Sequence, residues 1–342
     1  MKLPLQPPLK PMLSALSQNW PEGFLYEPKW DGFRSLVFYD GEEIYIQSRD
    51  SKPLGRYFPE LEEHLKATLP APVVLDGEIV IKTVRGLDFD ALLMRIHPAA
   101  SRIHKLARET PASFVAFDLL AVGDEDLSQL PQRERRRRLE KLKPCIITPC
   151  TEDMPTARDW FQRFEGAGFD GVIAKDPELA YQPDIRAMVK LKHRRTADCV
   201  LGGLRWAKDD KGVGSLLLGL YDSRGVLQHV GHTSSFKAQE KLELVETLRP
   251  YLDESGEASF GSGRTPGAPS RWSAGKDLSW QSLRPELVCE VSYDHMQGDR
   301  FRHAATFLRW RPDKPPAACD YSQLEAVPPA ELLQIWKEDC LQ

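Results

Sequence analysis

The sequence lacks the features that mark membrane, secreted disulfide-rich and zinc-finger proteins. No stretch approaches the roughly 18 apolar residues of a membrane span, and the first ten residues lack the apolar centre of a signal peptide. The six cysteines form no C-x-x-C pair and have no histidine at finger-like spacing, so we expect free thiols and no structural zinc. These absences predict a cytoplasmic protein with no membrane association.

An excess of positive charge is also missing. The chain has 46 Lys and Arg against 50 Asp and Glu, which gives a net charge of −4. The net charge therefore does not indicate a nucleic-acid-binding protein. Bases are nonetheless concentrated locally, in residues 132–143 and 186–211. The first of these runs lies on a predicted helix, whose ordinary interpretation is a solvated helix face.

With 342 residues, the chain has the length of about two domains. Residues 1–195 mix strand-like runs with helices in no regular βαβ order, which predicts an α+β domain with antiparallel sheets. Residues 196–342 contain about five short strands and one amphipathic helix, about Ala238 to Arg249, which suits an OB-fold β-barrel followed by a C-terminal tail. The Gly-, Ser- and Pro-rich stretch 255–275 predicts a mobile loop.

Lys29 lies between two strand-like runs, in the segment E-P-K-W-D-G-F-R (27–34). Asp31-Gly32 is a strong hairpin signal, and a two-residue turn there would place Lys29 opposite Arg34. A neighbouring guanidinium, partial burial and a metal ion would each lower the pKa of Lys29 and make its amine nucleophilic. The alternative is an ordinary exposed hairpin lysine.

Later segments supply further charged or aromatic candidates on apolar strands. Glu78 follows Asp76 in an apolar strand and is a candidate ligand for a metal or a ribose, because carboxylates are seldom buried unpaired. Phe117 could stack on a base, or could be an ordinary core residue. Lys190 and Lys192 share one face of their strand by alternation, which suits a phosphate.

In order and spacing, these segments resemble the covalent nucleotidyltransferases, and specifically the small bacterial C-type ATP-dependent DNA ligases linked to repair. The resemblance covers nearly the whole chain. It rests on E-x-K-x-D-G-x-R (27–34), S-R (48–49), D-G-E (76–78), F-D-L-L (117–120), D-G-V-I-A-K (170–175), K-L-K (190–192) and R-F-R-H-x5-R-W-R-P-D-K (300–314).

The resemblance implies a nucleotidyltransferase, or adenylation, domain in which Lys29 attacks the α-phosphate of ATP and carries AMP. Glu27 would then recognise the adenine amino group, Phe117 would stack on the ring, and Arg34 would contact the ribose or a phosphate. Lys190 and Lys192 would bind the α-phosphate.

The resemblance also implies a divalent metal, Mg²⁺ or Mn²⁺, with Glu78 and Asp170 beside it and the nucleotide. Ligases commonly have Glu at the position of Asp170, and the shorter acid would move the metal or bind it through water. Arg49 would receive the 5′-phosphate of a nick. The cations that orient pyrophosphate would be Arg309, Arg311 and Lys314.

The resulting expectation is an ATP-dependent enzyme that seals nicked double-stranded DNA as a monomer, in the nucleoid-associated cytoplasm, with DNA-repair proteins as possible partners. ATP is favoured over NAD because only 28 residues precede Lys29. One alternative is an RNA ligase or an mRNA-capping-type nucleotidyltransferase, which share K-x-D-G. The other is a catalytically idle nucleic-acid-binding relative.

Overall fold

The computed structural model describes residues 1–70, 72–207, 212–253, 255, 259–261, 266 and 278–324. The chain divides into two compact units, of which the first runs from Met1 to His193 and the second begins at Arg194. Most of the predicted mobile loop, 255–275, and the predicted C-terminal tail from residue 325 on lie outside the described residues. No helix in the described part of the chain is long and apolar enough to cross a membrane.

The first unit is built from short strands interrupted by helices. Its strands are β1 (Leu13–Ser17), β2 (Leu25–Pro28), β3 (Phe33–Tyr39), β4 (Ile44–Ser48), β5 (Val73–Val80), β6 (Lys82–Thr83), β7 (Gly86–Leu87), β8 (Ser113–Val122), β9 (Glu125–Asp126), β10 (Ile146–Ile147), β11 (Val172–Lys175) and β12 (Arg186–Leu191). Its α-helices are α1 (Pro59–Thr68), α2 (Phe89–Met94), α3 (Ala100–Glu109), α4 (Gln132–Leu142) and α5 (Met154–Arg163).

Two sheets contain ten of these strands, and β6 and β7 pair only with each other. The first sheet has the order β1-β12-β11-β2, and the second has the order β10-β8-β5-β3-β4, with β9 paired to β8. The pairs β2–β11, β11–β12, β3–β4, β3–β5 and β5–β8 are antiparallel. The predicted α+β class with antiparallel sheets is therefore confirmed.

Strand alternation divides the first sheet into an apolar face and a charged face. Tyr26, Val172 and Leu191 lie in one buried cluster with Ala157 of α5. The opposite face carries Glu27 and its antiparallel partner Ile173, which packs against apolar residues of the second sheet. The charged face of the first sheet is thus turned toward the second sheet.

The predicted hairpin at Asp31-Gly32 is wrong, because β2 and β3 belong to different sheets. Neither residue has the positive φ that a type I′ turn requires. Trp30 is buried against Phe169, with ring centroids 4.8 Å apart, and draws the chain away from a turn. A Cβ at Gly32 would lie 2.2 Å from the main-chain oxygen of Ile79, so glycine is needed for close approach to β5.

Helix ends follow local capping chemistry. The side chain of Asp153 accepts a hydrogen bond from the Thr156 N–H at 2.9 Å and begins α5. Helix α5 ends at Arg163, a 3-10 turn follows over Phe164–Ala167, and Gly168, with φ of 86°, is the left-handed residue that closes this turn.

The second unit is a closed antiparallel barrel. Its strands are β13 (Arg195–Trp206), β14 (Val213–Tyr221), β15 (Leu227–Thr233), β16 (Gln281–Ser282), β17 (Val288–Tyr293), β18 (Met296–Gln297), β19 (Arg300–Phe301) and β20 (Thr306–Trp310), with helix α6 (Ala238–Leu248). The sheet order is β15-β14-β13-β17-β20, and a bridge between Thr233 and Ala305 joins its two edges. This closure confirms the predicted OB-fold.

The barrel core contains three of the predicted free thiols. Cys199, Cys289 and Cys319 are buried in it, and Cys145 and Cys150 are free in the first unit. The sixth cysteine, Cys340, lies outside the described residues.

Candidate active site

Lys29 follows β2 and is held by main-chain hydrogen bonds on both sides. Its N–H donates to the Gly171 oxygen at 2.9 Å, and its own oxygen accepts from the Asp170 N–H at 2.9 Å. A Cβ at Gly171 would lie 2.0 Å from the Leu191 oxygen, and its φ of 113° also favours glycine. The backbone of Lys29 is therefore fixed against β11.

The amine of Lys29 meets a carboxylate rather than a guanidinium. Its Nζ lies 2.6 Å from Oδ2 of Asp170, and Nζ of Lys192 lies 2.8 Å from the same oxygen. Burial lowers the pKa of Lys29, but Asp170 and the nearby Glu78 raise it, so that the pKa lies above its ordinary value. The predicted pairing with Arg34, and the lowered pKa it would bring, are absent from this arrangement.

Glu27 is a buried carboxylate held between two cations. Its Oε2 pairs with Nζ of Lys175 at 2.8 Å, and its Oε1 lies 3.6 Å from Nη1 of Arg136. Oε1 is buried and accepts a hydrogen bond from no described residue. Because buried acceptors normally have a donor, this oxygen is suited to the amino group of a bound nucleobase.

The ring of Phe117 lies beside the cations of Arg34 and Lys175. The Cζ of Arg34 lies 4.5 Å and the Nζ of Lys175 lies 4.9 Å from its centroid, and the ring is nearly buried. Lys175 also donates to the main-chain oxygen of Phe117 at 3.0 Å. Lys175 therefore links the predicted stacking residue to the predicted base-recognition residue.

Arg34 is fixed by a bidentate ion pair on the second sheet. Its Nε and Nη2 donate to the two oxygens of Asp76 at 2.6 and 2.5 Å, the geometry that suits a guanidinium best. Burial lowers the pKa of Arg34 and Asp76 raises it by more, so the group stays charged. Its partner in the strand register is Glu78, not Lys29.

Glu78 is half-buried and interacts electrostatically with the charges of Lys29 and Arg34. Burial raises its pKa to about 7, while Lys29 and Arg34 oppose the rise. With Asp170 it supplies two carboxylates beside Lys29. Among the described residues no group of three or more His, Cys, Asp or Glu could hold a metal by itself.

Lys190 and Arg49 complete the predicted set in the first unit. Lys190 is half-buried on β12, and burial together with Lys192 and Lys29 lowers its pKa. Arg49 is exposed. Its main-chain N–H donates to the main-chain oxygen of Arg34 at 3.1 Å, which places the backbone of Arg49 beside the start of β3. Lys29, Asp170 and Lys192 are thus joined by direct contacts, while Glu27 is linked to Phe117 through Lys175.

The second unit brings its three predicted cations around three carboxylates, those of Asp198, Glu290 and Asp313, the last of which pairs with Arg311 at 2.8 Å. Arg311 contacts Asp198 at 2.8 Å, Lys314 lies 3.7 Å from the same carboxylate, and Arg309 contacts Glu290 at 2.6 Å. Asp198 and Glu290 are partners in the register of β13 and β17. The side chains form one mixed-charge cluster on one face of the barrel.

Sequence reasoning missed Arg136 and gave no role to Lys175. The predicted solvated face of α4 is wrong in part, because Arg135 and Arg136 are buried. Leu139 marks the buried face of that helix, and Arg135 and Arg136 lie four and three residues before it, on the same face. The spacing from Leu139 indicates that both arginines are buried, whereas the high charge of the run favours the interpretation of a solvated helix face.

Comparison with known proteins identifies the family of the chain. Residues 5–192 match the family model described as the ATP dependent DNA ligase domain, and residues 209–314 match the ATP dependent DNA ligase C terminal region. The chain is 50% identical to DNA ligase C of Mycobacterium tuberculosis, over 95% of this chain and 96% of that protein. It is 46% identical to DNA ligase C1 of Mycolicibacterium smegmatis, over 99% and 100% of the two chains.

A solved structure of a Lig E DNA ligase shares the fold, with a TM-score of 0.56 at 16% identity, covering 88% of this chain and 99% of that one. The two family models together span both units described above. The chain belongs to the small bacterial ATP-dependent DNA ligases.

Proposed function

We propose that this ligase seals nicks bearing a 5′-phosphate and a 3′-hydroxyl in duplex DNA, with AMP carried first on Lys29 and then on the 5′-phosphate. The observation that carries the proposal is the placement of Lys29, whose backbone is clamped and whose amine lies 2.6 Å from the Asp170 carboxylate. A nucleophilic amine must be held in line and must lose its proton. The main-chain bonds fix the backbone of Lys29, and Asp170 holds its charged amine in place, so the proton is released once ATP binding draws Asp170 toward the metal ion and away from the amine.

The chemistry balances in three displacements at phosphorus. The Lys29 nitrogen bonds to the α-phosphorus of ATP, the bond to the bridging oxygen breaks, and pyrophosphate leaves. An oxygen of the 5′-phosphate then displaces the lysine, whose nitrogen regains a proton. The 3′-hydroxyl oxygen finally bonds to the 5′-phosphorus, its proton passes to solvent and AMP leaves, which closes the strand.

The nucleotide-binding roles follow the contacts in the first unit. Glu27 accepts from the adenine amino group through Oε1, which accepts no hydrogen bond from a described residue, and Phe117 stacks on the base. Lys190 and Lys192 hold the α-phosphate, and Arg34 contacts the ribose or a phosphate. The buried pair of Glu27 with Lys175 sets the base-recognition group before ATP arrives.

The carboxylates of Glu78 and Asp170 fit a divalent cation. Mg²⁺ is commonly held by one or two protein carboxylates together with substrate phosphates, so a closed cage of three side chains is not required. Mg²⁺ or Mn²⁺ would neutralise phosphate charge and polarise the reacting phosphate there. Asp170 has a shorter reach than Glu, and two lysine amines already contact its Oδ2.

The remaining charged groups are assigned to DNA and to pyrophosphate. Arg49 is exposed and receives the 5′-phosphate of the nick. Arg309, Arg311 and Lys314 orient pyrophosphate during the first step. We place the boundary between the adenylation domain and the OB-fold domain at residues 195 and 196. We further propose that the enzyme is a monomer that acts in repair at the nucleoid, with repair proteins as possible partners.

A nick-sealing assay tests the proposal. The wild type with ATP and Mg²⁺ should join a nicked DNA duplex, and Lys29→Ala should not form the enzyme adduct or seal. Matched substrates with an RNA strand on either side of the nick, and GTP in place of ATP, are run in parallel. Joining of RNA alone, labelling by GTP, or DNA binding without any adduct would contradict the proposal.

A further inference from the structure

Arg34 belongs to a closed ring of hydrogen bonds that reaches beyond the strand carrying it. Its Nη2 donates to the main-chain oxygen of Met12 at 3.2 Å, and its Nε and Nη2 donate to Asp76. The Met12 N–H donates to the hydroxyl of Tyr181 at 3.0 Å, and that hydroxyl donates to Oδ2 of Asp76 at 2.6 Å. The ring therefore contains three side chains and both main-chain polar groups of Met12.

The direction of each bond in the ring is determined. Burial and the neighbouring Asp76 raise the pKa of Tyr181 well above its ordinary value, so the phenol keeps its proton. Asp76 accepts from Tyr181 and Arg34, and the Tyr181 oxygen is left to accept from Met12. Removing the Tyr181 hydroxyl alone would leave a buried N–H without its acceptor and would take one donor from Asp76.

Met12 is the last residue of an N-terminal segment, Met1–Met12, that is anchored along the first unit. Gln47 is fully buried, and its side chain accepts from the Leu9 N–H at 3.1 Å and donates to the Leu9 oxygen at 2.6 Å. The apolar side chains of the segment pack against the cluster formed by Leu36, Phe38 and Tyr181. This anchoring holds the main chain of Met12 in place.

We propose that Tyr181 and the main chain of Met12 are positioning groups for Arg34, so that the N-terminal segment is part of the nucleotide site. The inference rests on the proposed role of Arg34 in contacting ATP. Asp76 alone fixes the guanidinium plane, whereas the Met12 oxygen holds the Nη2 end from a second direction. With the second anchor released, Arg34 rotates about its pair with Asp76 and meets ATP less often in the productive orientation.

Tyr181→Phe is the direct test, and Tyr39→Phe is its matched control. Tyr39 is also a nearly buried tyrosine whose hydroxyl has two main-chain acceptors, Gly41 and Lys66, and it lies at the other end of β3 from Arg34. The measurement is the ATP dependence of Lys29 adenylylation with labelled ATP, alongside a thermal melt of each variant. We expect Tyr181→Phe to raise the KM for ATP about tenfold, which corresponds to ~1.4 kcal/mol, and Tyr39→Phe to leave it unchanged.

Two further variants separate positioning from general destabilisation. Gln47→Met releases Leu9 without touching the ring and should raise the KM for ATP in the same direction, by a smaller factor. If Tyr181→Phe does not fold, this variant decides the proposal. In an Arg34→Lys background, Tyr181→Phe should add no further rise in KM, because its effect passes through Arg34.

The failures of the two proposals are distinguishable. A wild type that forms no adduct on Lys29 would overturn the proposed function. A wild type that forms the adduct, with Tyr181→Phe and Gln47→Met matching Tyr39→Phe in KM, would overturn this inference and leave the ligase mechanism standing. An additive effect of Tyr181→Phe on Arg34→Lys would also overturn it.

Discussion

The Glu27–Lys175 pair of the first unit and the Arg309–Glu290 pair of the second unit lie in opposite surroundings. In the first unit, Glu27 and Lys175 pair with 3% of each side chain exposed, and Asp76 is buried beneath Arg34. In the second unit, Arg309 pairs with Glu290 while 62% of its side chain is exposed. The contacts are equally short, but their surroundings differ.

This difference indicates two kinds of phosphate chemistry. Separating a buried ion pair is unfavourable, because it leaves a charge without either water or a partner. Such a pair therefore keeps its geometry and acts as a fixed receptor. An exposed pair contributes little, and its cation can exchange a carboxylate for a phosphate. We therefore interpret the Glu27–Lys175 pair as part of a preorganised nucleotide receptor and Arg309 as an exchangeable cation. Arg311 and Lys314, with 18% and 29% of their side chains exposed, lie between these extremes.

The largest expected effect follows from breaking the most buried pair. Lys175→Met leaves Glu27 buried and without its closer cation, which should cost about 3 to 5 kcal/mol of unfolding free energy. Arg309→Met is the matched control in the second unit and should change stability by less than about 0.5 kcal/mol. Urea denaturation of both variants gives the comparison. Equal losses would contradict the distinction between the two regions.

The burial of Glu78 should lower the free energy of unfolding by an amount that depends on pH. Its pKa is about 7 in the folded chain against an ordinary 4.5, so between these values the unfolded chain ionises first and stability falls as pH rises. In metal-free protein, Glu78→Gln should be more stable than the wild type by about 2 to 3 kcal/mol above pH 7. The gain should shrink as pH falls and vanish near pH 4. A gain independent of pH would contradict the assignment.

Arg311 and Lys314 of the second unit should matter for the first chemical step. Arg311→Ala and Lys314→Ala should each slow Lys29 adenylylation by about 10²-fold, a typical loss for a charge-stabilising group. Lys314→Ala, which removes only a 3.7 Å contact with Asp198, should lower stability by less than about 1 kcal/mol. Sealing of a nick that already carries AMP should be nearly unchanged. If adenylylation were unaffected and sealing of the preadenylylated nick failed, the pyrophosphate role would be wrong.

The smallest change removes only the charge of Asp170. Because Asp170 raises the pKa of Lys29, Asp170→Asn should lower it, and the fraction of uncharged amine at a given pH should rise. NMR titration of ¹³C-labelled lysine in metal-free protein, with Lys29→Arg to assign the signal, measures the change. A Lys29 pKa that is unchanged or higher in Asp170→Asn would contradict the pairing.

Much of the fold was predictable because its signals are local. The amphipathic pattern over about Ala238 to Arg249 predicts a helix, and the structure shows α6 over Ala238–Leu248. Five short strands and one helix predicted the barrel. Its closure by the bridge between Thr233 and Ala305 depends on residues far apart in sequence.

The site was predictable as a list of residues and not as a set of contacts. Asp31-Gly32 carries a hairpin signal, yet the burial of Trp30 and the close approach of Gly32 to Ile79 outweigh it. Lys29 therefore meets Asp170 instead of Arg34, which reverses the expected direction of its pKa shift. Such pairings are decided by which sheet each strand joins, and sequence patterns do not contain that information.

The most direct test of the account is the site of the covalent adduct. Wild-type protein is incubated with ATP and Mg²⁺, digested, and analysed by tandem mass spectrometry under conditions that preserve a phosphoramidate. The account predicts one AMP group on the peptide containing Lys29, and none with Lys29→Ala. An adduct on Lys175, Lys190 or Lys192, or no adduct in protein that is folded, would contradict it.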